Sequence, residues 1–191
     1  MLRIAHRVNT AAELARVPPD EGVEVDLRDS GRRLILHHDP HRDGENFEDF
    51  LKRYRHRFIV LNVKSEGIEL AVHKLVARRG IKDFFFLDVS FPALVKLVKN
   101  GVPQVAVRFS EHEPAEACLA LAGKVEWVWV DCFTKLPLTP KIHAALRRRF
   151  RLCLVSPELQ GHGAEKIAEY RRALAKMPVD AVCTDRTDLW K

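Results

Sequence analysis

The sequence predicts an α/β protein: a compact (β/α)8 TIM barrel forming one domain over residues 1–191, with an extra β-hairpin after its second strand. Three observations lead there. Short β-type runs alternate with helical segments almost from end to end, and such alternation implies a parallel sheet, because parallel neighbours need crossover connections. Eight main strands can be counted, seven of them followed by a helix, which suits closure into a barrel. No glycine-rich nucleotide fingerprint follows the first strand, as it would in an open doubly wound sheet.

Residues 2–6 read as the first strand, and Asn9 or Thr10 can cap a helix running to about residue 17, where Pro18-Pro19 ends it. Residues 23–27 form the second strand. Residues 34–37 pair back through a turn at Ser30-Gly31 as a strand outside the barrel, and residues 48–57 look helical. The third strand, 58–64, is strongly apolar; a helix over 68–79 follows, with Gly80 as its C-cap residue. The theme repeats with strands at 84–89, 104–109, 126–131, 151–155 and 181–184. The helices between them fall at 92–100, 113–122, 139–149 (with Pro140 at the start) and 164–176.

Hydrophobic residues make up 47% of the chain, enough to bury a core, yet no apolar run approaches a membrane span. The opening MLRIAHR enters a strand pattern at once and leaves no room for a leader, so a cytoplasmic protein is expected. The 4 cysteines lack zinc-site spacing and read as reduced core thiols. The net charge of +6 comes largely from basic runs such as residues 51–57 and 147–151, which read as solvated faces. No zinc finger, aromatic RNA-binding motif or basic tail points to dedicated nucleic-acid binding.

In a (β/α)8 barrel, function sits at the C-terminal ends of the strands. Here those ends carry, in order, His6-Arg7, then Glu24 and Asp26, then Asn62 and Lys64, followed by Asp88, Arg108, Asp131, Glu158 and Asp185-Arg186. Glu24 and Asp26 are two apart on a strand and therefore share a face, as do Asn62 and Lys64. The hairpin delivers His38-Asp39 nearby. Oxygen ligands in this arrangement suit a hard divalent cation, and a histidine beside them can give or take a proton. Lys64 at the end of an apolar strand is hard to explain as structure, because an unpaired buried ammonium is costly; Arg108 has a similar claim.

The order of these segments resembles the glycerophosphodiester phosphodiesterase family, related to barrels of the phosphatidylinositol-specific phospholipase C type. The family's His-Arg-Gly is matched by His6-Arg7-Val8, its Glu-x-Asp by Glu24-Val25-Asp26, and its His-Asp by His38-Asp39. Its Glu-x-Lys is matched by Asn62-Val63-Lys64, its Ser-Phe by Ser90-Phe91, and its Thr-Asp by Thr184-Asp185. Val8 stands where the family has glycine, and Asn62 where it has a metal-binding glutamate. The family's tryptophan-containing seventh-strand motif is replaced by residues 155–159, VSPEL.

The resemblance implies a phosphoric diester hydrolase acting on a glycerophosphodiester or related small phosphodiester. It implies a Mg²⁺ or Ca²⁺ ion held by Glu24, Asp26 and Asn62, with Asp88, Asp131 and Glu158 as the acids from which a further carboxylate would come. Arg7, Lys64 and Arg108 would bind the substrate phosphate. His6 and His38 would share general acid and base duties. The lost glutamate keeps two other readings open: a barrel that binds a phosphorylated ligand without cleaving it, and a lyase forming a cyclic phosphate.

Overall fold

A computed structural model describes residues 1–191. In chain order its strands are β1 (Leu2–Ala5), β2 (Gly22–Ser30), β3 (Arg33–Leu36), β4 (Glu45–Asn46), β5 (Phe58–Val63), β6 (Phe84–Leu87), β7 (Ala106–Phe109), β8 (Trp127–Val130), β9 (Arg151–Val155) and β10 (Ala181–Thr184). Its α-helices are α1 (Ala11–Leu14), α2 (Phe47–Arg53), α3 (Glu69–Arg78), α4 (Phe91–Lys99), α5 (Ala115–Leu119), α6 (Pro140–Arg147) and α7 (Glu165–Leu174). The chain divides into two compact units, His6–Pro103 and Met1–Ala5 with Gln104–Lys191.

In the unit His6–Pro103, β2, β5 and β6 lie parallel, with β5 between the other two. Every residue of β5 and β6 is buried, which is why FIVLNV and FFFL read as continuous apolar runs and not as alternating ones. Phe84 and Phe86 meet edge to face, 5.8 Å between ring centroids, on one side of β6. The expected hairpin is present: β3 pairs antiparallel with the far half of β2 through a two-residue turn whose first residue, Gly31, has φ +62°. That pairing carries β2 on to Ser30, beyond the expected end at residue 27. A two-residue strand, β4, then pairs with β3; so short a run leaves no periodic trace in the sequence.

In the other unit the order is β1, β10, β9, β8, β7, all parallel. Ile4, Val128, Leu154 and Val182 are fully buried there. Cys118, Cys132, Cys153 and Cys183 are free and buried, and burial pushes the Cys118 and Cys132 thiols up to about 12, which disfavours the thiolate. The α5 helix is half the expected length: Pro114 at its N-cap delays the start by two residues, and the helix ends at Leu119, three residues short of the expected end.

The helix starts follow side-chain chemistry. Thr10 closes a reciprocal capping box with Glu13, and Asn46, Ser90 and Thr139 each accept a backbone N–H at the head of α2, α4 and α6. No helix is long and apolar enough to cross a membrane. The architecture is mixed α/β, and each of the eight expected main strands is found.

Candidate functional site

Glu24 and Asp26 point to the same face of β2 and are 1% and 0% exposed. The parallel register sets Asp26 beside Asn62 of β5, so the amide stands next to the carboxylate pair. Asn62 Nδ2 donates to Glu24 Oε1 at 2.8 Å and reaches Asp26 Oδ1 at 3.4 Å. Lys64, two residues on, brings its Nζ to 3.6 Å from Asp26 Oδ1 and 3.4 Å from Asp88 Oδ2. Asp88 sits just past β6 at φ +57°, a left-handed conformation that turns its carboxylate back toward the ammonium.

The other carboxylate oxygens are met by the segment after β1. Arg7 donates its backbone N–H to Glu24 Oε2 at 2.8 Å, and Asn9 Nδ2 donates to Asp26 Oδ2 at 2.8 Å. Asn9 Oδ1 in turn accepts the Asp26 backbone N–H at 2.8 Å, so Asn9 and Asp26 are bonded in both directions. Arg7 has φ +52°, a strained value for a side-chain-bearing residue. That bend aims its N–H at Glu24 while its guanidinium leaves in another direction and donates from Nη2 to His38 Nε2 at 2.8 Å.

The contact settles the His38 tautomer. A guanidinium only donates, so Nε2 holds a lone pair; the proton is on Nδ1, which meets Asp39 Oδ1 at 2.9 Å. The His38 hydrogen bond, more than any charge, holds the Asp39 carboxyl below its ordinary value. Glu24 moves the other way. Burial, and behind it the neighbouring Asp26 charge, raise its pKa; the His6 charge, the Arg7 N–H and the Asn62 amide oppose this, which places the His6 imidazole within electrostatic reach of Glu24.

Seven of the eight expected site residues thus belong to one unit: His6, Arg7, Glu24, Asp26, His38, Asn62 and Lys64. Arg108 lies in the other unit, where its Nη1 is 2.5 Å from Asp131 Oδ2. His37 turns to the Asp39 backbone. Ser90 caps α4 and donates its hydroxyl to Glu66. The sequence reading does not single out Asn9 or Arg28. Asn9 carried only a helix-cap signal, whereas Arg28 continues the two-residue spacing of Glu24 and Asp26 and so could have been found by extending that row.

No three His, Cys, Asp or Glu side chains gather closely enough to hold a metal ion. The oxygen set around the pair is two carboxylates and the Asn62 amide, whose Oδ1 is buried without a hydrogen-bond partner. An orphaned amide oxygen beside two carboxylates has the chemistry of a hard-cation ligand set, although Asn62 brings no charge.

No protein-family description matches the chain, and no curated protein does. Solved structures do. A glycerophosphodiester phosphodiesterase from Agrobacterium tumefaciens superposes with a TM-score of 0.70 at 16% identity, over 100% of this chain and 99% of the other. A glycerophosphoryl diester phosphodiesterase from Parabacteroides distasonis superposes with a TM-score of 0.67 at 13% identity, over 96% of this chain and 82% of its own. The chain therefore shares its fold with these phosphodiesterase structures, members of the family that the ordered motifs resemble.

Proposed function

We propose that this chain is a single-domain phosphoric diester hydrolase acting on a glycerophosphodiester or a related small phosphodiester. The observation that carries the reading is Arg7, which touches the carboxylate pair through its backbone and the His38 imidazole through its side chain. Acid, imidazole and cation are thereby joined around one residue, and the fold shared with phosphodiesterase structures supports the same reaction class.

A phosphodiester anion is held by the planar fork of Arg7 and the point charge of Lys64. His6 and His38 divide proton removal from the attacking group, water or a neighbouring substrate hydroxyl, and proton delivery to the leaving alcohol. Glu24, Asp26 and the Asn62 Oδ1 are the ligands that would hold Mg²⁺ or Ca²⁺, which supplies a positive charge against the phosphoryl oxygens.

A second reading rests on Asn62. Its amide donates to Glu24 and so satisfies part of the carboxylate pair without a cation, as a barrel that binds a phosphorylated ligand and does not cleave it would need. A phosphodiester panel run across a metal titration separates the two. Turnover that requires a divalent ion and disappears in both His6→Ala and His38→Ala supports the hydrolase. Ligand-induced thermal stabilisation with no turnover under any ion supports the binding protein. Phosphorus NMR of the products distinguishes hydrolysis from formation of a cyclic phosphate.

A further inference from the structure

We propose that Arg28 is a positioning residue for the proposed reaction: it ties the main chain of His38 to the main chain of Lys64 and so sets the imidazole and the ammonium at a fixed separation. Arg28 Nη2 donates to His38 O at 2.7 Å and its Nε lies 3.2 Å from the same oxygen and 3.2 Å from His37 O. Its Nη1 donates to Lys64 O at 3.0 Å. One guanidinium therefore spans three carbonyls on two segments that are 26 residues apart in the chain by numbering, from His38 to Lys64.

The need for such a clamp follows from where the strands end. Leu27 of β2 pairs with Leu36 on one edge and Val63 on the other. The last main-chain bonds on the two edges are His37 N–H to Asp26 O and Lys64 N–H to Leu27 O. Beyond them both partners leave the sheet just as they present His38 and Lys64, and buried or half-buried carbonyls still require donors. Arg28 is the next residue of the Glu24–Asp26 row, on the same face, so its side chain rises between the two departing segments. A lysine offers a single point of attachment and cannot span them; the fork of arginine can.

His38 is then held by two arginines: Arg7 on its ring, Arg28 on its carbonyl. Fixing the carbonyl fixes the Cα and hence the origin of the imidazole, which matters because a small misplacement of a proton-transfer group costs rate without weakening ground-state binding.

The inference rests on the phosphodiesterase reading, and its test has one arm that does not. In Arg28→Gln and Arg28→Lys, kcat and KM are measured on a glycerophosphodiester, and the His38 imidazole ¹H–¹⁵N signals, assigned by comparison with His38→Gln, are recorded without substrate. The expected result for Arg28→Gln is a kcat lower by about 10- to 100-fold with KM within about threefold, and His38 ring signals moved toward those of a free histidine. Arg28→Lys, which can satisfy one segment, is expected between Arg28→Gln and the parent in both measurements. If Arg28→Gln fails to fold, Arg28→Lys decides alone: parent-like kcat and parent-like His38 signals in that variant overturn the proposal. Unmoved His38 signals in a folded Arg28→Gln overturn it as well. A parent chain that cleaves no diester defeats the functional reading only, and the ring signals still decide the role of Arg28.

Discussion

Arg7 Nη2 lies 2.8 Å from His38 Nε2, and the same residue donates its backbone N–H to Glu24 Oε2 at 2.8 Å. Side chain and main chain of one residue serve two different partners only because the backbone is held at φ +52°. A left-handed conformation costs a residue with a Cβ roughly 1–2 kcal/mol, so the arrangement is maintained against a local preference.

Arg7→Gly should separate stability from function. Glycine adopts the left-handed conformation freely and keeps the N–H bond to Glu24, so the variant is expected to be more stable by about 1 kcal/mol in urea titrations. Turnover should fall by about 100-fold or more, because the phosphate fork and the His38 contact are both gone. A less stable Arg7→Gly would mean that the side chain contributes more than the strain costs.

Glu24 has a definite pH signature. Its carboxyl pKa is raised above the ordinary 4.5 by burial and by Asp26. A raised acid pKa means that the folded state binds the proton more tightly than the unfolded state; stability is greatest below the unfolded pKa and is lost as pH rises through the folded value. Glu24→Gln, assayed in chelator, is therefore expected to melt higher than the parent at pH 7, on the order of 2–4 °C, with the gap closing below about pH 4.5.

Lys64 stands between Asp26 and Asp88 at 3.6 and 3.4 Å. Lys64→Met should leave the buried Asp26 short of positive charge and cost about 1–3 kcal/mol, less than a wholly buried pair because the ammonium is partly exposed. Denaturant unfolding reads this directly. Combining it with Asp88→Asn in a double-mutant cycle should show coupling, since the two share a contact.

Gly44 closes the loop that carries His38. A Cβ there would collide with Leu36 O and lie 3.2 Å from the His37 Cβ, so the loop must shift to accommodate any side chain. Gly44→Ala is expected to destabilise by about 1–3 kcal/mol and to lower turnover through displacement of His38. Circular dichroism melting and steady-state kinetics measure the two effects separately.

Much of this architecture is legible in one dimension. Buried parallel strands announce themselves as unbroken apolar runs, and 58–64 and 84–89 could hardly be anything else. The two-residue repeat placed Glu24 with Asp26 and Asn62 with Lys64, and the turn at Ser30-Gly31 located the hairpin. Helix ends were less visible: α5 is five residues where ten were expected, starting two residues later, after Pro114, and ending three residues earlier, at Leu119.

The sequence by itself determined which chemical groups are available and on which strand ends they fall, since alternation and turn chemistry are local properties of the chain. Only the tertiary structure decided how they are paired: Asn9 with Asp26 across 17 residues, Arg7 with His38 across 31, and Asn62 with Glu24 across 38. It likewise matched Arg108 with Asp131, and Arg28 with two separate segments. Such bonds depend on inter-strand register and on where each ladder stops, and those are set by the packing of whole strands against one another.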